Sequence, residues 1–256
     1  MFNLSKIKNI MVFGAHPDDE IIGLGATIHN LSSQKKEINV ITFTGGGTAA
    51  NSAKEIYSMI KTRKNEMKKT NKILGITNRE LLQIPSQEVY AAVYGNLKIV
   101  DQYGISDNRK ISLHHMLIFL IRKYKPQILF THSPDNHRDH CGISDVTPQA
   151  VFQASELILK NLGEPYKVPL VLNYSIETEL EKNYTPNFFI EVSKNNMAAK
   201  TKAMATQISQ TRHEYLTRFN EIINSRAQLC GAKMFGAGKY AESFYINNSI
   251  NISLIK

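Results

Sequence analysis

The sequence predicts an α/β protein with a Rossmann-like, three-layer architecture around a mostly parallel central sheet. Short apolar, β-branched stretches alternate along the chain with longer segments of helical period. Such alternation is typical of βαβ units, in which helices cover both faces of a parallel sheet. Charged, histidine-rich turns also follow two of the predicted strands, at the ends where open sheets of this kind bind ligands.

Each predicted element is assigned from its periodicity and its stop signals. Apolar runs that end at glycine or proline are assigned as strands, and amphipathic segments that end at glycine or before proline as helices. The predicted strands are residues 10–13, 38–44, 80–85 and 127–134, and the predicted helices are residues 20–32, 54–74 and 112–124. Beyond Gly163 the pattern predicts strands at 169–176 and 188–193, helix within 195–224, and an amphipathic segment, 239–246, that packs back on the sheet. The order of the strands does not follow from these patterns.

Length and composition predict one domain. The 256 residues, 42% of them hydrophobic, suit one large core better than two. We expect residues 1–163 to form the Rossmann-like core, and residues 164–256 to complete the sheet and the substrate pocket. The segment FFIEV, residues 188–192, offers an interface for a homo-oligomer.

The cysteines and apolar runs indicate a cytoplasmic protein. Cys141 and Cys230 form no CxxC pair, which argues against a disulfide framework. The first residues lack the longer apolar segment and cleavage site of a signal peptide. No apolar run approaches the roughly 18 residues of a membrane span, so we expect no membrane span.

The net charge of +9 does not predict a nucleic-acid partner. A basic balance favours anionic partners in general, but the lysines are dispersed. The densest cluster, residues 61–69, has helical spacing and includes a glutamate, as expected of a solvated helix face. A non-catalytic basic binding module is therefore the weaker alternative.

Two motifs offer metal ligands at strand ends. AHPDDE, residues 15–20, follows the first predicted strand, and THSPDNHRDH, residues 131–140, follows the fourth. His16 and Asp19 are three residues apart, so a turn places both side chains on one side. One further histidine of the second motif would complete a set of two histidines and one carboxylate. That set suits Zn²⁺, and also Fe²⁺ or another divalent ion.

The remaining acids and histidines suit the chemistry of hydrolysis. Asp18 would lie close to a bound water and act as general base. His137 would face a developing oxyanion or protonate the leaving group, and Asp139 would hold its imidazole and keep it charged. Either motif alone is more typical of a capped helix start. Both together, at the ends of two parallel strands, favour a functional site.

The paired motifs resemble those of the LmbE-like, or PIG-L-like, family of zinc-dependent N-deacetylases. The likeness extends over most of the chain, through VITFTGGG (residues 40–47), TRKNEMKKTNKILGI (62–76) and YAESFYI (240–246). The resemblance implies a hydrolase that removes the acetyl group from an N-acetylglucosamine-type sugar or sugar conjugate, a small-molecule substrate. A related amidase, esterase or phosphoesterase with the same ligand set is the alternative.

The resemblance also implies a role for individual residues. It makes His16, Asp19 and His140 the metal ligands, Asp18 the base, and His137 the oxyanion stabiliser supported by Asp139. It makes Arg63 a residue that contacts the substrate. Glu20 is expected to lie next to the ligands without binding the ion itself. Arg138 stands where the family usually has proline. His132 is expected to stay in the core, and Cys141 to be a small buried residue at a helix start.

Overall fold

A parallel five-stranded sheet forms the centre of the protein and confirms the predicted fold class. The structure, a computed structural model, describes residues 7–50, 52–176, 185–210 and 213–246. The strands are β1 (Asn9–Gly14), β2 (Glu37–Thr44), β3 (Asn78–Ile84), β4 (Ile99–Val100), β5 (Lys110–Ile111), β6 (Ile128–His132), β7 (Leu170–Tyr174), β8 (Phe188–Val192) and β9 (Tyr240–Phe244). The helices are α1 (Asp19–Ser33), α2 (Ile56–Leu74), α3 (Val89–Val93), α4 (Leu113–Tyr124), α5 (Arg138–Ala154), α6 (Lys194–Met204) and α7 (His213–Phe235).

The strand order of the main sheet is β3-β2-β1-β6-β7, with every pair parallel. From β1 the chain extends the sheet through β2 and β3 on one side. It then returns to place β6 on the other side of β1. The order therefore reverses between β1 and β6, and a crevice opens at such a point beyond the carboxyl ends of the strands. Both sequence motifs follow these two strands.

Each face of the sheet has its own hydrophobic core because side chains alternate along a strand. In β1, Ile10 and Val12 pack into a core that includes residues of α1, α6 and α7. Met11 and Phe13 point to the opposite face, into a core that includes residues of α4 and α5. The helices on both faces make the three layers that the sequence predicts.

The elements predicted after Gly163 are present in the described residues. β7 is the outer strand of the main sheet, while β8 and β9 pair antiparallel in a small separate sheet. A single bridge between Asn173 and Tyr245 connects β7 to the end of this small sheet. The division of the chain into a core, residues 1–163, and a C-terminal part, residues 164–256, stays a prediction. Among the described residues, no helix is both long and apolar enough to cross a membrane.

A buried ion pair connects the small sheet to α1, the helix that begins with the first motif. At Leu24 the backbone of α1 leaves the helical region (φ −150°, ψ 25°). The N–H groups of Ala26 and Thr27 donate to the Glu242 carboxylate of β9, at 3.3 and 2.7 Å. Lys200 of α6 neutralises that carboxylate at 2.6 Å. The pair thus satisfies backbone groups that the irregularity leaves without helical partners.

Replacing Glu242 should destabilise the fold strongly. Glu242→Ala leaves Lys200 buried without its counter-charge, and breaking a buried pair costs roughly 3–5 kcal/mol. The exposed pair Glu191–Lys239 has the same 2.6 Å separation and is a matched control. Glu191→Ala should cost at most about 1 kcal/mol. Urea denaturation of both variants measures the difference, and equal losses would contradict this account.

Candidate metal centre

The first motif forms a tight turn between β1 and α1. The Asp19 carboxylate folds back and accepts the backbone N–H of His16 at 2.8 Å. Asp18 stands at the N-cap position of α1, but its side chain makes no capping hydrogen bond. The two carboxylates of this motif therefore do not serve as simple caps of α1. Both are directed to other groups.

Three side-chain atoms from the two motifs form a nearly regular triangle. His16 Nδ1 lies 3.5 Å from Asp19 Oδ2, His140 Nε2 lies 3.5 Å from the same oxygen, and the two nitrogens are 3.4 Å apart. Ligands bonded to zinc at 2.0–2.1 Å with tetrahedral angles stand about 3.3–3.4 Å from one another. The spacing therefore fits three ligands of one small divalent ion. The donor set, two imidazoles and one carboxylate, suits Zn²⁺, Fe²⁺ or another divalent ion.

Both histidines of the triangle contact a carboxylate through their other ring nitrogen. His16 Nε2 lies 3.1 Å from Asp139 Oδ2, and His140 Nδ1 lies 2.6 Å from Asp135 Oδ2. A carboxylate behind a histidine fixes its tautomer and its orientation, and it makes the outward nitrogen a better metal ligand. The two rings are thus held with Nδ1 of His16 and Nε2 of His140 directed into the triangle.

The carboxylates make this point of the protein favourable for positive charge. Burial lowers the pKa of His16, but Asp19 and Asp139 outweigh it and raise the pKa to about 9. Burial likewise opposes the charge of His140, yet Asp19 and Asp135 raise its pKa to about 10. Burial disfavours ionised Asp19, but His140 and His16 hold its pKa well below the usual value. A divalent cation would meet the same field.

Two other groups of donor atoms also lie close together, Asp19–His132–His140 and His16–His137–His140. One nitrogen of each additional histidine, Nε2 of His132 and Nδ1 of His137, has other partners. His132 Nε2 accepts the backbone N–H of Ala15 at 3.1 Å and lies 2.9 Å from the Tyr174 hydroxyl. Burial, together with the charge of His140, lowers the pKa of His132 to about 4, so this ring stays neutral within the core. The first triangle is the better candidate.

Asp18 is oriented by Arg63. Arg63 Nη2 lies 2.9 Å from Asp18 Oδ2, and both side chains are largely buried. The guanidinium packs against Gly46, where a Cβ atom would stand 2.2 Å from Nη1 and where φ is +68°. This glycine of the GGG run therefore makes room for Arg63. Gly46 thus has a packing role beside Arg63.

One predicted role differs in the structure. The Asp139 carboxylate does not contact the His137 ring, because it accepts the backbone N–H groups of Gln87 and Val89 and faces His16. His137 is the N-cap of α5, and its Nδ1 accepts the N–H of Asp139 at 3.2 Å. Burial, followed by the charges of His16 and His140, lowers the pKa of His137. The structure therefore pairs Asp139 with His16 in place of His137, and the attraction of Asp139 for a charged His137 does not outweigh the effects that lower its pKa.

Two contacts of the site were not predicted. Asp135 was visible as an acid in the second motif, but its position five residues before His140 gave no reason to pair it with that ring. Gln87 follows β3 and contacts the site twice, through its N–H to Asp139 and through its side-chain amide nitrogen, 3.2 Å from His137 Nε2. Nothing in its local sequence indicates this.

Two further residues near the motifs have structural partners. Glu20 is buried and forms an ion pair at 2.6 Å with Arg79 of β3, behind the triangle. The Cys141 thiol is half-buried and donates to the Asp135 carbonyl at 3.0 Å. Its position in the first turn of α5 agrees with the expectation, whereas its burial is only partial.

The fold and the site together define an α/β protein with a histidine–aspartate–histidine triangle at the switch point of its sheet. The chain belongs to the PIG-L family, described as GlcNAc-PI de-N-acetylase, which residues 11–151 match. This match covers more than half of the 256 residues and includes both motifs. The family resemblance seen in the sequence is confirmed.

Relatives of known activity align over different shares of their length. A 1D-myo-inositol 2-acetamido-2-deoxy-alpha-D-glucopyranoside deacetylase from Rhodococcus jostii is 24% identical over 172 residues, 63% of this chain and 59% of that protein. The chain thus spans less than two thirds of that relative. The diacetylchitobiose deacetylase of Thermococcus kodakarensis is 25% identical over 248 residues, 92% of this chain and 82% of that protein.

A solved structure shares the fold. The N,N'-diacetylchitobiose deacetylase from Pyrococcus horikoshii superposes with a TM-score of 0.75 and 20% sequence identity, covering 96% of this chain and 87% of the other. At this identity the likeness shows the fold.

Removing either carboxylate behind the triangle should weaken metal binding. Asp135→Asn and Asp139→Asn keep the size of the side chain but lose the charge that orients His140 or His16. Changes of this kind typically cost 10–100-fold in metal affinity. Competition with a chelating dye measures the affinity, and Asp145→Asn, an exposed acid on the same helix, is the control. Unchanged affinity in both variants would contradict the geometry described here.

Proposed function

We propose that this protein is a metal-dependent N-deacetylase that hydrolyses the acetamide of an N-acetylglucosamine-type sugar or sugar conjugate, with release of acetate and a free amine. The supporting observation is the 3.4–3.5 Å triangle of His16, Asp19 and His140, with Asp18 beside Asp19 in the chain. The family and the activities of the two relatives named above support the choice of an N-acetylated sugar as substrate.

His16 Nδ1, Asp19 Oδ2 and His140 Nε2 would hold the ion, which we propose to be Zn²⁺. Fe²⁺ suits the same ligand types. When bound, such an ion supplies Lewis-acid polarisation of the amide carbonyl and lowers the pKa of a water to about 7. The triangle leaves further coordination positions to water and substrate, as in catalytic zinc sites with three protein ligands.

Asp18 is the proposed general base. Its Oδ2 lies 2.9 Å from Arg63, which fixes the carboxylate and leaves Oδ1 to accept the proton of the attacking water. Asp18 then carries that proton and can donate it to the departing amine. In this proposal Arg63 positions the base. We also propose that Arg63 contacts the substrate directly, as the family resemblance implies.

His137 is the proposed donor to the oxyanion. Its Nδ1 accepts the N–H of Asp139, so a neutral ring has its proton on Nε2. The Gln87 amide, 3.2 Å from Nε2, then has to present its oxygen to that proton, which a flip of the amide provides. Burial, the first cause of the lowered pKa of His137, favours this neutral form. A neutral N–H donor steadies a developing negative charge by a hydrogen bond. Asp139 acts through His16 and is a positioning residue in this proposal.

Two substitutions should separate metal binding from catalysis. Asp19→Ala removes a ligand, so the purified protein should lose both its metal and its activity. Asp18→Asn keeps the ligands and the size of the base, so metal content should be retained while acetate release falls roughly 10²–10⁴-fold. Metal analysis and acetate detection on N-acetylglucosamine, diacetylchitobiose and an N-acetylglucosaminyl inositol measure both, with Asp107→Asn, a change at an exposed acid, as control.

The chelator experiment completes the test. Acetate release should stop after removal of the metal and return with Zn²⁺ or Fe²⁺, and the rates with each ion identify the better cofactor. Full activity of both Asp18→Asn and Asp19→Ala would overturn the proposal. Acyl esters and phosphoesters belong in the same substrate panel, because activity on these alone would assign a different hydrolase to the same residues.

A further inference from the structure

Arg138 is an exposed cation between two residues of the site. It lies between His137 and Asp139 in the chain, at the position where the family usually has proline. Its guanidinium carbon stands 5.4 Å from the centre of the Tyr90 ring, over the ring face. No carboxylate of the described residues lies within ion-pair distance of it, so its N–H groups are available to a ligand.

The position of Tyr90 depends on a close approach between α3 and α5. A Cβ atom at Gly142, one turn after Arg138, would stand 3.2 Å from the Tyr90 nitrogen and 3.3 Å from its Cα. Glycine at this position thus allows the backbone of α3 to lie against α5. The Tyr90 ring also packs against the Tyr94 ring, with centroids 4.6 Å apart. Both rings are partly exposed, 37% and 52%.

This aromatic pair is continuous with the candidate metal centre. The segment that leads into α3 contacts Asp139 through the N–H groups of Gln87 and Val89, and Gln87 also contacts His137. Arg138 and Tyr90 therefore lie at the rim of the site, on the side of the proposed oxyanion donor.

The acids of the site do not neutralise Arg138. Asp139 faces His16, and Asp135 faces His140. Asp145, on the same helix, accepts the Tyr94 hydroxyl at 3.1 Å. An arginine placed over an aromatic ring can still direct the N–H groups of its planar edge to a ligand, and that edge matches the two oxygens of a phosphate or a carboxylate.

We propose that Arg138, supported by Tyr90, forms a subsite that binds an anionic substituent, a phosphate or a carboxylate, of the N-acetylated sugar. This inference rests on the proposed deacetylase function and narrows it to anionic conjugates. The substituent at C1 of the sugar is the first to examine, because C1 adjoins the carbon that bears the acetamide. Arg138 is a specificity residue in this proposal, and the reacting atoms are handled by others.

Three substrates of one sugar test the subsite. They are N-acetylglucosamine 1-phosphate, the malate glycoside of N-acetylglucosamine, and its neutral methyl glycoside. The wild-type protein should favour an anionic substrate, and Arg138→Gln should lower kcat/KM for that substrate roughly 10–100-fold, as expected for loss of a charge-assisted contact. Activity on the methyl glycoside should change less than about twofold. The phosphate and malate arms show which anion the subsite prefers.

A binding experiment separates this inference from the proposed function. Calorimetry with metal-loaded Asp18→Asn protein measures affinity for the same three sugars without turnover, and the added Arg138→Gln change should weaken only the anionic ones. Arg218→Gln, an exposed arginine of α7, is the control for net charge. Arg138→Gln could weaken binding of the anionic sugars while the wild-type protein releases no acetate. That outcome would overturn the proposed deacetylase function and support the subsite. The subsite proposal would be overturned if Arg138→Gln changed acetate release or affinity equally for all three sugars, or changed neither.

Discussion

The Asp19 carboxylate is the group on which the rest of the site depends. It closes the turn after β1 by accepting the N–H of His16, and its Oδ2 lies 3.2–3.5 Å from nitrogens of His16, His132 and His140. A buried carboxylate surrounded by imidazoles is stable only if positive charge is present. The surrounding carboxylates raise the pKa of His16 and His140 and so favour positive charge at this point. A divalent ion would supply that charge, which is the physical reason to propose a metal here.

A second layer of carboxylates makes the arrangement rigid. Asp135 and Asp139 lie behind the two histidines of the triangle, and Asp139 is itself held by two backbone N–H groups before α3. The loop after β3 is thereby connected to the loop after β6. The same connection places α3 beside α5. The rim that we propose for substrate binding and the interior that we propose for metal binding are therefore held by the same contacts of Asp139.

Several features of the site followed from neighbouring residues in the chain. The HPDD turn predicts that His16 and Asp19 face one way, because three residues make about one turn. The glycine and proline stops predict where strands end, and parallel strands present those ends on one edge. These local rules, with the family resemblance, were sufficient to select both motifs and the fold class. They also selected Asp139, but they paired it with its neighbour His137, whereas the structure pairs it with His16.

That difference shows where the sequence alone was decisive and where it was not. Composition and periodicity determined the α/β class, the strands next to the motifs, and the residue types available for chemistry, because these depend on local backbone preferences and side-chain alternation. The tertiary structure decided the strand order, the contacts of Asp135 and Gln87 with the site, the ion pair of Arg63 with Asp18, and the position of Tyr90 under Arg138. Each of these joins segments far apart in the chain, and their partners are fixed by how the helices pack on the sheet.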